Sequence, residues 1–406
     1  MISTAIPFLL ALAAQSGPAP ACPPCTIELD PIVEIGALSD PVGRDMSTLV
    51  GRLSSGNWVV SPVRLGPALS LHDPMGRFVK VFQVRGQGPR ELSGPVVLLR
   101  VVPGDSVYAL SPGRLLTLDS ELEPVADVVP IRLGSVSDFL PLANGRIAAS
   151  HSLLTGPRTV SVLHLLDRAG EVVRSMDTQE LRPESGRDRS ARRRLAPASA
   201  GGFWSMTVAD SRLQRYSDEG QLMSTVVVER EWFEPWTGAP RSAFVERPQS
   251  QTIWIQELAE DRVLLISTTA DENWQPPERE PVLTDTTTFT AVNDWVVEVV
   301  DPSTGVIVAS RRFDERVAPV WGAAGLLYRM HVTPVGDITA RIFRISLVPT
   351  PGEPLPSQEP VRRRLGPSPP SYSLGGNDDK ATRPHSRWRT LRDPSHESPC
   401  RAGGVH

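Results

Sequence analysis

Two cysteines with the spacing of a redox pair stand near the start of the chain, Cys22-Pro-Pro-Cys25. A reactive thiol of that kind needs a helix N-terminus to lower its pKa. Residues Thr26 to Ile35 read as a strand, so a loose tether or a local disulfide is expected in place of thiol chemistry. The remaining cysteine is Cys400, and without a second ligand pair zinc ligation is not expected. A calcium-assisted hydrolase needs several side-chain oxygens around one hard cation. The asparagines are Asn57, Asn144, Asn273, Asn293 and Asn377. The first two fall in hairpin turns, the next two in one inserted loop, and no carboxylate and amide set recurs. His72, His151, His164 and His331 are scattered; His164 reads as a strand residue, and His151 at a strand exit is the one placed to meet a ligand. There is no Gly-x-Ser-x-Gly nucleophile elbow in the core. Gly86-x-Gly88 is followed by Pro89 and no helix, so it does not read as a phosphate loop. No catalytic residue, metal or cofactor is therefore assigned.

Binding chemistry is better represented. Candidate ligand or partner contacts are Arg90, Glu91, His151, Arg192, Trp232, Trp236 and Trp274, all on long connections. Trp and Arg are the usual energetic anchors of interfaces. The competing reading is that the tryptophans cap the apolar ends of sheets. Arg192-Arg193-Arg194, with Arg187 and Arg189, forms a basic run diluted by Glu184 and Asp188, as in a solvated loop or a site for an acidic partner.

The elements that must hold these residues repeat. A β-rich run, Asp-x-x-Gly and a second β-rich run occur at Asp73–Gly76 and Asp167–Gly170, with one extra residue at Asp301–Gly305. Ser217–Gly220 is a looser copy, and Asp119–Leu122 keeps the Asp without the Gly. Each copy lies late in a unit of roughly 40–60 residues, the period range of propeller blades. The Asp suits an Asx turn, so its expected role is structural. Each unit parses into strands a to d. The second reads Val96–Val101, Ser106–Leu110, Arg114–Asp119 and Pro124–Val129; the third reads Phe139–Leu142, Arg146–Ser150, Ser161–Asp167 and Val172–Thr178. Six tight a–b turns, at Gly56, Gly104, Gly145, Gly201, Asp261 and Gly325, imply six units. The sixth unit offers three strands, and Thr26–Ile35 is left over to supply its fourth. An all-β fold follows: a six-bladed β-propeller of four-stranded antiparallel blades, its ring closed by an N-terminal strand.

In the link after the first of these units, Gly86-Gln87-Gly88-Pro89-Arg90-Glu91-Leu92, followed in the second unit by Gly104-Asp105-Ser106-Val107-Tyr108, resembles the Gly-x-Gly-Pro-Gly-Glu-Phe phrase of secreted bacterial six-bladed propellers, relatives of the NHL and TolB-like groups. Arg90 and Leu92 replace the usual Gly and Phe. The resemblance covers roughly residues 26–348 and implies fold and export, since most such proteins have no assigned activity.

The long connections are the d–a links Arg85–Pro95, Gln179–Arg193 and Glu229–Gln251 and the b–c loops His151–Thr159 and Thr269–Asp294. Both kinds leave a propeller at the same end, which makes that end the expected binding face. The domain reading is an export signal over 1–21, a propeller over 22–348 and a disordered Pro- and Arg-rich tail over 349–406. Ile2–Ala14 is apolar and Ala19-Pro20-Ala21 has the form of a cleavage site, placing the protein in the periplasm, cell envelope or exterior. Cys22 is a candidate lipid anchor, and no stretch is apolar enough to span a bilayer. The 406 residues carry a net charge of −4, which argues against a nucleic-acid partner. The functional expectation is a monomeric binding or scaffold module whose long-loop face takes a protein, peptide or carbohydrate. A metal-dependent hydrolase or lactonase of the same shape is the alternative.

Overall fold

The computed structural model describes residues 25–36, 48–61, 68–83, 86–133, 136–156, 159–180, 190–238, 246–258, 262–276, 292–332 and 338–349. The expected export signal, Cys22 and the tail beyond residue 349 lie outside them, as does Asp261. Cys25 is disulfide-bonded, and its partner also lies outside them.

Every regular element with an assigned span is a strand. The first, β1 (Cys25–Ile35), stands apart from the meanders that follow. The first meander is β2 (Leu49–Arg52), β3 (Trp58–Ser61), β4 (Ala68–His72) and β5 (Phe78–Gln83). The second is β6 (Leu98–Val102), β7 (Ser106–Ser111), β8 (Arg114–Leu118) and β9 (Val129–Pro130). The third is β10 (Asp138–Pro141), β11 (Ile147–Gly156), β12 (Thr159–Leu166) and β13 (Val172–Glu180). The fourth is β14 (Arg193–Pro197), β15 (Phe203–Thr207), β16 (Arg212–Tyr216) and β17 (Leu222–Val227). The fifth is β18 (Gln251–Leu258), β19 (Arg262–Ala270), β20 (Asn293–Val300) and β21 (Ile307–Phe313). Last come β22 (Val317–Pro319), β23 (Leu326–Val332) and β24 (Ile338–Pro349).

The first four meanders are separate four-stranded antiparallel sheets. The last strands form one eight-stranded sheet in the order β18-β19-β20-β21-β1-β24-β23-β22. Within it, β1 pairs antiparallel with β24 from Cys25↔Pro349 to Ile35↔Ala340. A two-residue parallel pairing, Cys25↔Ala309 and Thr26↔Ser310, joins β1 to β21. The opening strands β2, β6, β10, β14, β18 and β22 run beside one another in that order. Gly51 of β2 bridges Trp321, just beyond β22. Meanders stacked on their neighbours with their first strands adjacent are the blades of a β-propeller.

The predicted turns are present, and they have a second job. In three of them the Asp Oδ1 accepts two backbone N–H bonds: from Met75 and Arg77 to Asp73, from Glu121 and Glu123 to Asp119, and from Ala169 and Glu171 to Asp167. Ser217 Oγ takes the same two bonds in the fourth meander. In three of these turns the glycine lies against the outer strand of the preceding meander, and in the first against β1. A Cβ on Gly170 would stand 2.2 Å from Pro130 O of β9, and one on Gly305 2.2 Å from Val227 O of β17. On Gly220 it would meet Met176 Sδ of β13 at 2.3 Å, and on Gly76 Glu34 O of β1 at 2.3 Å. The second meander has Leu122 in this place, also at positive φ (58°), and its buried side chain joins the core between the first and second meanders.

Two sequence expectations need correction. The fourth strand of the second unit, expected over 124–129, is an isolated bridge at Pro124 and the two-residue β9. Proline has no N–H to give a ladder, so a segment bounded by Pro124 and Pro130 pairs only at its ends. Residues 151–159, expected as a loop, are mostly strand: β11 and β12 continue past the blade as a hairpin, with Leu154↔Val160 and Gly156↔Thr159 paired.

Candidate binding cleft at the long-loop end

Strand polarity sets which segments can share a surface. First and third strands begin at the end of the blade where second and fourth strands finish, so every d–a link and b–c connection emerges there. The expected site residues do not form one cluster on this end.

Arg90 and Glu91 belong to the link between the first two meanders. Glu91 folds back over the loop, its Oε2 accepting the Gly88 N–H at 2.7 Å. A Cβ on Gly86 would lie 1.8 Å from the same carboxylate oxygen, so this position is glycine because Glu91 occupies the space. Arg114 donates to Gly88 O, and Leu92 is buried in the core. The Gly-x-Gly-Pro-x-Glu phrase is thus a self-closing cap. Arg90 is exposed beside Asp127 at 3.5 Å.

His151 is on the extended hairpin, where its carbonyl accepts a bond at 2.9 Å from His164 Nε2. A carbonyl only accepts, so Nε2 carries the proton and His164 Nδ1 accepts from Ser175 Oγ at 3.0 Å. That neutral tautomer agrees with burial, which lowers the His164 pKa. The next residue before His151, Ser150, takes the Arg193 N–H on its Oγ at 2.9 Å, and Arg192 O accepts the Val208 N–H. Trp236 N–H in turn donates to Ala209 O. His151, Arg192 and Trp236 are therefore successive stations along one end of the third, fourth and fifth meanders.

Trp232 and Trp236 do come together. They line a cleft of about 330 Å³ beside the fifth meander, with Glu234, Arg247, Gln249 and Thr269. Trp236 is mostly buried on Val208 and Ala209, and its Nε1–H donates to Ser250 O at 2.7 Å. It is a wall of the cleft as well as the cap that the competing sequence reading expected. Trp232 is half-buried and donates its Nε1–H to Glu298 Oε1 at 2.8 Å. Trp274 lies four residues beyond Ala270 at the cleft's edge, its N–H bonded to Asp271 O, and is not part of the lining.

A buried ion pair holds the Trp232 platform from behind. Arg230 Nη1 and Glu298 Oε2 are 3.8 Å apart with both side chains essentially inaccessible. Arg230 also donates to Ser211, Thr252, Ser267 and Asp210 O, and its guanidinium lies 3.8 Å from the Phe233 ring centre. Burial lowers its pKa to about 10 and pushes the Glu298 carboxyl up. Sequence reasoning missed this pair, although a lone Glu inside Trp295-Val-Val-Glu298-Val-Val is a visible signal: a charge in an all-apolar strand must have a partner. Glu234, Arg247, Gln249 and Thr269 carry no such signal, because only folding brings 234, 247–249 and 269 to one rim.

Near the axis a different set was also missed. Arg100 of β6 forms a buried ion pair with Asp138 of β10 and donates to Phe139 O (2.9 Å) and Leu195 O (3.3 Å). Its guanidinium lies 3.5 Å from the centre of the Trp321 ring. Only a side chain near the centre can reach the third, fourth and last meanders at once. Gln256 of β18 donates there to Val320 O and Ala323 O. Arg100 and Gln256 thus both reach into the space between the opening strands. Among the described residues no group of three or more His, Cys, Asp or Glu side chains is placed to hold a metal ion.

Comparisons with known proteins give the fold and stop there. No protein-family model and no curated protein matches the chain. Similar solved structures include a member of the DUF4221 family from Bacteroides vulgatus, 12% identical, with a TM-score of 0.53 over 79% of this chain and 99% of that one. A protein from Bacteroides fragilis is 10% identical, with a TM-score of 0.52 over 79% of this chain and 95% of that one. At such identities the likeness is one of fold alone. No helix among the described residues is long and apolar enough to cross a membrane.

Proposed function

We propose that the chain is an exported six-bladed β-propeller, its ring closed by β1, that works as a binding module through the cleft at Trp232 and Trp236. Six blades follow if the eight-stranded sheet counts as two: β18–β21, and β22, β23 and β24 completed by β1. The contact of Gly76 with Glu34 O supports closure, since it gives β1 the place that other outer strands hold against the following turn. Export rests on the apolar run Ile2–Ala14 and Ala19-Pro20-Ala21. The observation that carries the binding reading is the cleft itself. Its volume is at the small end of ligand sites, and its walls, whose exposed surface is more polar than apolar, set Trp232 and Trp236 among several polar side chains. Arg100, Asp138 and Trp321 meanwhile occupy the axis, where a hydrolase of this shape would need converging oxygen ligands.

The test uses a ligand recovered by fractionating culture medium and envelope extract on the immobilised protein. Trp232→Ala and Arg247→Ala should each weaken its binding at least about tenfold, a loss of about 1.4 kcal/mol. Asp73→Asn and Asp167→Asn, at the opposite end, should leave it unchanged. Loss of binding in the folded Asp variants alone would refute the face assignment.

A further inference from the structure

The geometry points to a neutral saccharide as the ligand class of the cleft, an inference that rests on the binding reading above. Both tryptophans have committed their only donor: Trp236 Nε1–H to Ser250 O and Trp232 Nε1–H to Glu298. Tryptophan has no acceptor, so each can offer a ligand only carbon surface. Trp232 is also held in place by the Arg230–Glu298 pair and by its edge-to-face contact with Phe233, with ring centres 5.6 Å apart. A platform fixed before binding has less entropy to lose when a ligand arrives.

The polar part of the lining is of a different kind. Glu234 and Arg247 are exposed on the rim, with Gln249 and Thr269 beside them. Carboxylate, guanidinium and amide groups are planar and two-pronged, so each can engage two neighbouring hydroxyls of a polyol. One carboxylate and one guanidinium cancel in charge, which favours a neutral ligand over a phosphate or a polyamine. A ligand must then have an apolar face for the indole and a rim of hydroxyls for the planar groups. A pyranose has both, since its axial C–H bonds form a face and its hydroxyls an equatorial rim. A peptide strand would instead need an open sheet edge; of the lining, 232–236 and 247–250 belong to no described strand, and Thr269 and Ala270, at the end of β19, are paired with Asp294 and Asn293 of β20.

The experiment screens the labelled full chain on an array of neutral glycans and follows binders by calorimetry and indole fluorescence. At least one glycan should bind and change the indole emission. Trp232→Ala should weaken it tenfold or more, and Glu234→Gln and Arg247→Ala severalfold, while Trp232→Phe keeps part of the affinity. Unfolding midpoints near the parent's would show that these variants are folded. If no glycan binds but Trp232→Ala still weakens the ligand recovered from extract, the saccharide class is overturned and the cleft stands. If a glycan binds all variants equally, it sits elsewhere and the inference fails. If no ligand of any kind responds to cleft substitutions, both readings fall.

Discussion

Gly170 and Gly201 hold similar backbone conformations, with φ of +80° and +84°, in very different surroundings. A Cβ on Gly201 would meet nothing within 4 Å, whereas one on Gly170 would stand 2.2 Å from Pro130 O. Gly201→Ala should therefore cost only the positive-φ penalty, about 1–2 kcal/mol. Gly170→Ala adds a collision with backbone that cannot rotate away, and should cost about 2–5 kcal/mol in all. Urea unfolding of the two variants separates these terms, and equal losses would show that the contact with β9 contributes nothing. The repeated Gly thus answers two demands, turn conformation and the approach of the neighbouring blade. Leu122 marks what happens without it: the side chain is accommodated by burial in the core rather than excluded.

Among the elements, β1 carries the most consequence for its length. Its ends, Cys25 and Ile35, are buried, as is Ile27, and it covers β24 along nearly its whole length. Its Glu34 side chain accepts a bond from Thr339 Oγ1 at 2.6 Å and pairs with Arg341 at 3.1 Å. Deleting residues 25–36 would expose the β24 backbone edge and take support from the turn at Gly76. An exposed edge of that length invites pairing between molecules. The variant should aggregate or melt well below the parent in a scanning-calorimetry comparison, and a melting curve like the parent's would show that β1 is dispensable.

At the scale of the whole molecule, Arg100 and Asp138 tie blades together across the centre. Asp138 also accepts N–H bonds from Phe139 at 2.8 Å and Leu195 at 2.9 Å. Asp138→Leu alone would leave Arg100 a buried cation without its counter-charge, at a cost of about 3–5 kcal/mol. Arg100→Met with Asp138→Leu removes both charges, and most of that loss should return. Chemical denaturation of the two single variants and the double variant gives the coupling directly. Additive losses would mean that the pair does not act as a unit. The proposed function accords with this: Arg100, Asp138 and Trp321 meet near the axis, and the proposed ligand site is the cleft at the long-loop end.

Much of the local architecture was legible in the residues alone. Asp73, Asp119 and Asp167 announced their turns because an Asx turn is made within five consecutive residues. Turn glycines and β-branched runs located nearly every strand for the same reason. Strict alternation was missing from Val162–Leu166 because β12 is buried on both faces, and a strand sandwiched between blades has no solvent side to mark. The extended hairpin at 151–159 and the short β9 were misjudged where pairing partners, rather than composition, decide the conformation. Tertiary structure alone placed Trp232 and Trp236 with Glu234, Arg247 and Thr269, and left Arg90, Glu91 and Trp274 outside that group. The physical reason is distance along the chain. A turn satisfies its own hydrogen bonds locally, but a cleft exists only after separate links have been pinned to one blade by groups such as Arg230 and Glu298, 68 residues apart in sequence.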